Sequence, residues 1–365
     1  MKEGVIMKIV FCIDSLNKGG AERVISILAN NFSNKNEVSI ITTTSTKCAY
    51  TIDNSINLFS LDNEKVNALQ RLKRPYRMYK LLKKLNPDIV ICFMPSQSFR
   101  VLLVKPLFKF KTIVSVRNDP KMEFKPLKCK LVKFLFYNRS DGFVFQTEDA
   151  KNYFNKKIQS RSIIIPNPIK QEFIDRKVYT GKKENVIVSV GRLEPQKNHE
   201  LLIDAFYDIK DKFKNYKLII YGEGYLREKL EKKIEKLGMK DRILLPGNVD
   251  NIAEKLEKAK LFVLTSNYEG MPNALMEAMA LSLPCISTDC PCGGPKFLIK
   301  DNKNGILVDV GDIEKLKDLL VYVIQNLNTQ KFINIKNNSR KEMQKYTVKN
   351  ICSKWYDYIK NIHIK

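Results

Sequence analysis

The sequence predicts an α/β fold of two Rossmann-like, doubly wound domains, and three observations carry that expectation. Short apolar runs alternate with longer helical patterns along the whole chain, the signature of βαβ units and parallel sheets. The alternation stops at Pro166-Asn167-Pro168, where two prolines bracket a turn, and then restarts. A length of 365 residues is long for one core and comfortable for two.

In the first half the strand candidates are residues 8–13, 38–43, 88–93, 112–116, 142–146 and 162–165. Residues 170–184 are polar and without clear periodicity, so the first domain is placed at 1–168. In the second half the candidates are 185–190, 217–221, 243–245, 261–265, 284–287 and 305–308. Helical patterns lie between them, as at 226–237 with apolar residues at 226, 230, 234 and 237. The tail, 313–362, reads as two or three helices. Doubly wound sheets offer the carboxyl ends of their strands to a cleft, where ligands bind.

Composition narrows the function classes. Hydrophobic residues make up 44%, enough for real cores, and low-complexity tracts, heptads and short repeats are absent. No apolar run reaches the roughly 18 residues of a membrane-spanning helix. The start lacks a secretory signal pattern, and residues 1–6 read as a short extension before the first strand. The eight cysteines are scattered, with only Cys290 and Cys292 close together, and read as reduced, mostly buried thiols. Two histidines, His199 and His363, exclude a histidine-rich metal site, and no metal is expected.

The net charge of +25 is uneven: residues 1–170 hold 30 Lys+Arg against 13 Asp+Glu, a balance of +17. Two segments are dense. One runs from Lys65 to Lys84 and includes Arg71, Lys73, Arg74, Arg77, Lys80 and Lys83. The other runs from Lys105 to Phe136, with lysines between Phe108, Phe110, Phe124, Phe134 and Phe136. Basic residues interleaved with aromatics suit an anionic membrane surface, at about 1 kcal/mol per cation near it. An ordinary lysine-rich surface and nucleic-acid binding compete with that reading, and nucleic acid is not expected as a partner.

Four constellations carry chemistry. Gly19-Gly20 follows the first strand and opens a helix, where glycine lets backbone approach a ligand and free N–H groups face an anion. An ordinary tight turn explains the same residues. Gly191-Arg192-Leu193 with Lys197-Asn198 opens the second domain, and two cations on a strand-to-helix loop can converge on a diphosphate. Gly222-Glu223-Gly224 reads either as an ordinary strand-end turn or as a cleft-facing turn that touches a base or ribose. The strongest is 266–273, with Glu269, Gly270, Met271, Pro272 and Asn273, followed by an apolar helix, 274–281, holding Glu277. That helix begins with Pro272 as its first residue or Asn273 as its cap. A carboxylate among apolar neighbours is costly unless hydrogen-bonded, and ribose hydroxyls are suitable donors to Glu277. Sugar hydroxyls can reach Glu269 on the loop.

Here the chain resembles a known family. Glu269 and Glu277, with seven residues between them, look like the Glu-x7-Glu motif of the family-4 retaining glycosyltransferases. Gly191-Arg192-Leu193 with Lys197-Asn198 resembles that family's diphosphate loop, and 222–227, Pro246-Gly247 and 284–289 follow in its usual order. The resemblance covers nearly the whole chain and implies the GT-B fold, two Rossmann-like domains facing across a cleft. It implies a donor-binding second domain over 169–345 and a final helix over 346–365, with Trp355 and Tyr358, crossing back to the first. Arg192 and Lys197 would then hold the donor diphosphate, Glu277 the ribose and Glu269 the transferred sugar, with Arg192, Lys197 and Glu269 catalytic. Gly19, Gly20, Gly222 and 270–273 would complete the donor site. Many relatives carry a histidine where this chain has Arg117, so Arg117 and Asn118 are candidate acceptor or donor contacts.

Breaking the anomeric bond puts negative charge on the departing diphosphate, which fixed cations stabilise more in the transition state than in the ground state. No Asp-x-Asp occurs, so nothing in the sequence points to a metal-held diphosphate. The resemblance implies retention, a UDP-sugar donor used as substrate with no cofactor, and a glycan or polyprenyl-diphosphate-linked acceptor in capsule, O-antigen or exopolysaccharide synthesis. The expected location is cytoplasmic, peripherally associated with the inner face of the cell membrane. A sugar-nucleotide 2-epimerase of the same fold and a non-catalytic scaffold are the alternatives.

Overall fold

The computed structural model describes residues 6–17, 19–62 and 66–364. Lys65, the start of the first basic segment, and residues 1–5 of the expected extension lie outside the described residues. The chain forms two compact units, Met1–Pro168 with Val348–Lys365, and Ile169–Thr347.

The first unit holds a seven-stranded sheet of β1 (Lys8–Cys12), β2 (Glu37–Thr42), β3 (Asn57–Ser60), β4 (Ile89–Phe93), β5 (Lys111–Ser115), β6 (Gly142–Phe145) and β7 (Ser162–Ile164). Its order is β3-β2-β1-β4-β5-β6-β7, and every pairing is parallel. The second unit holds β8 (Val186–Val190), β9 (Lys217–Tyr221), β10 (Ile243–Gly247), β11 (Leu261–Leu264), β12 (Cys285–Thr288) and β13 (Ile306–Val308). These six are also all parallel, in the order β10-β9-β8-β11-β12-β13. Helices cover parallel strands on both faces, so central strands are apolar throughout. Ile-Val-Ile-Cys-Phe of β4 is buried at all five positions, as are the four residues of β11. Two Rossmann-like parallel-sheet units of this kind are the GT-B fold.

The twelve strands expected from the apolar runs are present, with ends displaced by a residue or two. The sequence reading missed β3. It is a four-residue strand at the sheet edge with no fully buried residue, so neither an apolar run nor a strict alternation marks it. The tail forms three helices, Ile313–Asn326, Gln330–Met343 and Val348–Ile364.

The last of these packs on the first unit. Trp355 is fully buried with its ring 6.2 Å from that of Phe93 on β4, and Tyr356 lies 6.0 Å from Phe32. The Tyr358 hydroxyl accepts from the Phe143 N–H at 2.9 Å and donates to the Arg161 carbonyl at 2.6 Å. Gly142 permits this approach, because a Cβ there would sit 2.2 Å from Ile362 Cδ1 and 2.6 Å from the Tyr358 hydroxyl. Part of the first basic segment is also structural: Arg74 and Arg77 both pair with Asp62, whose side chain is fully buried.

Packing, rather than a polar contact, holds Trp355, since its indole N–H has no acceptor. Trp355→Ala is expected to cost about 3–5 kcal/mol in denaturant unfolding, the usual range for emptying an aromatic site. A loss below about 1 kcal/mol would show that the returning helix is no part of the first unit's core.

Candidate active site

In each sheet the strand order reverses beside the first strand, and ligands of doubly wound folds bind outside the carboxyl ends of the strands at that point. In the second unit the reversal lies between β8 and β11. The loops leaving these two strands carry Arg192, Lys197 and Glu269.

Backbone contacts join the two loops. Thr265 Oγ1 donates to the carbonyls of Lys197 and Asn198 at 3.1 and 3.0 Å, and the Asn267 N–H donates to the Gln196 carbonyl at 2.8 Å. Gln196 Nε2 returns to the Tyr268 carbonyl at 3.0 Å, and Asn198 Nδ2 to Asn267 Oδ1 at 3.1 Å. This stitching brings Lys197 Nζ onto Glu269 Oε1, a carboxylate oxygen that also accepts from Ser266 Oγ at 2.6 Å. The pair is largely buried, with side-chain exposures of 15% for Lys197 and 6% for Glu269. Arg192 is different: its guanidinium is 59% exposed, 3.1 Å from Glu194 and 3.3 Å from Gln196 Oε1.

Two more loops complete the edge. The Gly222-Glu223-Gly224 turn after β9 lies against the Arg192 loop, with the Leu193 N–H donating to the Glu223 carbonyl at 2.9 Å. Gly222 has φ +140°, and a Cβ there would lie 2.0 Å from the Gly191 carbonyl oxygen. The glycine is therefore required by backbone packing whatever the turn binds. After β12, Thr288 Oγ1 donates to the Ser266 carbonyl at 2.6 Å, and the Cys292 N–H to the Glu269 carbonyl at 3.0 Å. Gly294 abuts Gly270 so closely that a Cβ would come within 1.9 Å of its carbonyl oxygen. Burial, and next the Glu269 charge, push the Cys290 thiol up to about 12, so it stays protonated.

The helix expected from Pro272 or Asn273 runs Asn273–Ala280, with Pro272 in the cap position and Asn273 as first residue. Pro272 has φ −75° and ψ 99°, an extended conformation that keeps it out of the first turn. Gly270, Met271, Pro272 and Glu277 are buried, and Glu277 is 5% exposed in the helix's second turn. Ser266, Gln196 and Thr288 lie inside the motif stretches but had no role of their own in the sequence reading. Their uncharged polar side chains carry no spacing signal, and only the meeting of loops gives them partners. A cavity of about 200 Å³ opens beside the Arg192 loop, lined by Glu194, His199, Leu226, Lys229 and Asn267 among others, but by none of Arg192, Lys197, Glu269 and Glu277.

In the first unit the reversal lies between β1 and β4. Just past β1, Asp14 accepts from Thr43 Oγ1 at 2.9 Å, Ser96 Oγ at 2.6 and 2.7 Å and Gln97 Nε2 at 3.1 Å, with Arg100 at 3.5 Å. Its side chain is still 47% exposed. The sequence reading passed over Asp14, because a lone aspartate after a strand carries no motif. Gly19 caps the helix Gly20–Ser33 in an ordinary extended conformation, its N–H on the Tyr50 hydroxyl at 3.0 Å. Arg117 is buried, with its guanidinium 4.9 Å over the Phe93 ring, Nη2 on Asn167 Oδ1 and Nη1 3.3 Å from Ser115 Oγ. Burial pulls its pKa down to about 9. Asn118 is half-buried.

Residues 18–173 match the family described as Glycosyltransferase Family 4, and residues 170–346 match Glycosyl transferases group 1. The chain is 30% identical over 365 residues to the Campylobacter jejuni GalNAc-alpha-(1->4)-GalNAc-alpha-(1->3)-diNAcBac-PP-undecaprenol alpha-1,4-N-acetyl-D-galactosaminyltransferase, covering 98% of this chain and 99% of that enzyme. The chain belongs to glycosyltransferase family 4. It is also 26% identical to the amylovoran biosynthesis glycosyltransferase AmsD of Erwinia amylovora, over 96% of this chain and 99% of that one. Among solved structures it is similar to Anabaena HepE in complex with UDP, with a TM-score of 0.79 at 17% identity, covering 97% of this chain and 100% of that one. That similarity shows the shared fold. As a glycosyltransferase, the chain has its Glu-x7-Glu segment and its Arg192–Lys197 loop on neighbouring strand ends of one sheet.

His199, first residue of the helix that follows the Lys197 loop, is 3% exposed. Burial, and next the Lys197 charge, push its pKa down to about 4, against weaker opposition from the Gly191 and Arg192 backbone. Above about pH 6.5 it is neutral in both folded and unfolded chains and contributes nothing to pH dependence. As pH falls from about 6.5 to about 4 only the unfolded chain gains its proton, so stability is lost across that window. His199→Gln is expected to flatten this part of the stability–pH curve by up to about 3 kcal/mol, measured by denaturant unfolding at each pH. An unchanged slope would show that His199 already titrates normally.

Proposed function

We propose that the chain transfers a sugar from a UDP-sugar, with retention of anomeric configuration and without a metal or cofactor, to a polyprenyl-diphosphate-linked glycan in surface polysaccharide synthesis. The observation that carries this reading is the buried Lys197–Glu269 pair at the strand-order reversal, beside the exposed Arg192 guanidinium. A sugar diphosphate needs cations at one end and hydroxyl acceptors at the other, and these loops supply both within one rigid edge. The relative in Campylobacter acts on an undecaprenol-diphosphate glycan by its name, and the HepE structure holds UDP, which supports the acceptor and donor classes.

In this reading the donor diphosphate lies along the Arg192–Lys197 loop. The bond between the anomeric carbon and the phosphate oxygen breaks with its electrons going to the diphosphate, where Arg192 and Lys197 meet the growing charge. The acceptor hydroxyl attacks from the same face, and its proton passes to the departing phosphate oxygen. Glu269, fixed by Lys197 and Ser266, accepts hydroxyls of the transferred sugar, and Glu277 accepts those of the ribose. On the acceptor side, Asp14 is better placed than Arg117, because its carboxylate is half-exposed and held by four side chains while Arg117 is turned into the core. Gly19 has backbone geometry that any residue adopts, but a Cβ there would sit 2.2 Å from Glu22 Oε2, so its lack of a side chain makes room for the Glu22 carboxylate. The +17 balance of residues 1–170 supports peripheral attachment at the anionic inner face of the cell membrane. Among the described residues no helix is long and apolar enough to cross a membrane.

A single series of variants tests these roles with purified enzyme, UDP-sugars and a lipid-linked acceptor. Arg192→Ala and Lys197→Ala are each expected to lower kcat by about 10²–10³, the effect of removing one transition-state charge stabiliser. Glu277→Ala is expected to weaken UDP binding, Glu269→Ala to lower turnover, and Asp14→Asn to raise the acceptor KM with UDP affinity unchanged. Near-normal rates in both cation variants, or normal UDP binding by Glu277→Ala, would sink the donor-site assignment.

A further inference from the structure

Resting on the lipid-linked acceptor read above, we propose that the helix Leu127–Phe136 is the element that enters the membrane, lying in the headgroup layer with its outward stripe in the lipid. Ten of the 17 exposed large apolar side chains among the described residues fall between Leu69 and Leu135, the same stretch that carries the two basic segments. Such clustering on one unit marks an interaction surface rather than the scatter normal for a soluble face.

The helix is apolar on two sides. One side rests on the unit: Phe136 meets Phe99 edge-on at 5.3 Å, and the Lys133 ammonium lies 4.1 Å over the Tyr153 ring. On the other side Leu127 is 81% exposed, Leu131 55%, Phe134 78% and Leu135 48%. Their spacing of four, seven and eight residues from Leu127 makes one stripe along the helix. Lys128 and Lys130 are exposed and fall on either flank of it. An apolar stripe with a long cationic side chain on each flank fits a bilayer surface, with the stripe among the acyl chains and the ammonium groups at the phosphates. The ten-residue length suits a helix lying in the surface plane.

The patch continues beyond this helix. The helix Pro95–Val104 packs against both Leu127–Phe136 and Arg74–Leu85, so the three share one layer on the sheet. Leu107 just after it is 70% exposed, and Leu69 and Leu72 ahead of Arg74 are 73% and 76% exposed beside Arg71 and Lys73. Lipid is favoured over a second copy of the chain because two surfaces of +25 molecules, each rimmed with lysine, repel.

The phenylalanines do not play the part expected from the sequence. Phe110 and Phe124 are buried, Phe108 packs on the first unit's core, and Phe136 faces Phe99; of the five only Phe134 points outward. Leucines supply the rest of the stripe.

The test uses Phe134→Trp in the full chain, whose single natural tryptophan, Trp355, is fully buried and supplies a constant background. With vesicles of phosphatidylcholine and phosphatidylglycerol, blue-shifted emission shielded from an aqueous quencher is expected, and with phosphatidylcholine alone much less. Leu131→Asp with Phe134→Asp is expected to weaken sedimentation with anionic vesicles at least about tenfold, and Lys128→Gln with Lys130→Gln to weaken it and reduce its salt dependence. All four positions are exposed, so folding survives, and turnover on a water-soluble acceptor fragment stays at the parent rate. Unshifted emission on vesicles that still sediment the chain, or no sedimentation at all, would overturn the proposal. So would a concentration-dependent dimer abolished by the same aspartates, or equal binding to polyanionic nucleic acid. Failure of the parent chain to turn over any acceptor would instead count against the transfer reading, whatever the vesicles show.

Discussion

Lys197 and Glu269 are 72 residues apart in the chain and share a hydrogen bond because two strand ends meet where the sheet order reverses. The contact is costly to build. Both groups leave water, and removing either partner of such a pair typically costs about 3–5 kcal/mol because the other charge stays buried alone. The backbone stitching around them answers that cost. Thr265, Gln196, Asn198 and Asn267 lock the two loops together through bonds that involve neither charged side chain. The loops after β9 and β12 add close glycine contacts at Gly222 and Gly294, so the edge presented to a ligand is one body.

A fixed edge matters for the chemistry read here. Cations stabilise a departing diphosphate well only if they need not reorganise when the charge appears. Lys197, held by Glu269 and framed by backbone, meets that condition. Arg192 is mostly solvent-exposed and meets it less well, with Glu194 and Gln196 restraining it in the free protein. The two cations thus differ in kind: one is buried against a carboxylate and the other is mostly solvent-exposed.

The positive charge of the first unit divides in a similar way. Arg74 and Arg77 are spent on the buried Asp62, and Lys133 lies over the rings of Tyr153 and its neighbours. Others, such as Arg71, Lys73, Lys128 and Lys130, stay outward beside exposed leucines, so a charge count along the sequence overstates the surface.

Much was legible in the sequence. Parallel strands buried on both faces must be apolar throughout, so twelve of the thirteen stood out as runs, and the chain's break in pattern lay at Pro166-Asn167-Pro168. Gly191-Arg192, Lys197 and the two glutamates stood out because charged residues at strand ends and inside an apolar helix are costly without a purpose. The edge strand β3 was illegible because an edge needs no continuous apolar run. Tertiary structure alone decided the rest. It paired Lys197 with Glu269, gathered Thr43, Ser96 and Gln97 around Asp14, and turned Arg117 inward and Leu127, Leu131 and Phe134 outward. Periodicity says that a helix has faces. Which face is covered depends on neighbours distant in the chain, and no local pattern records them.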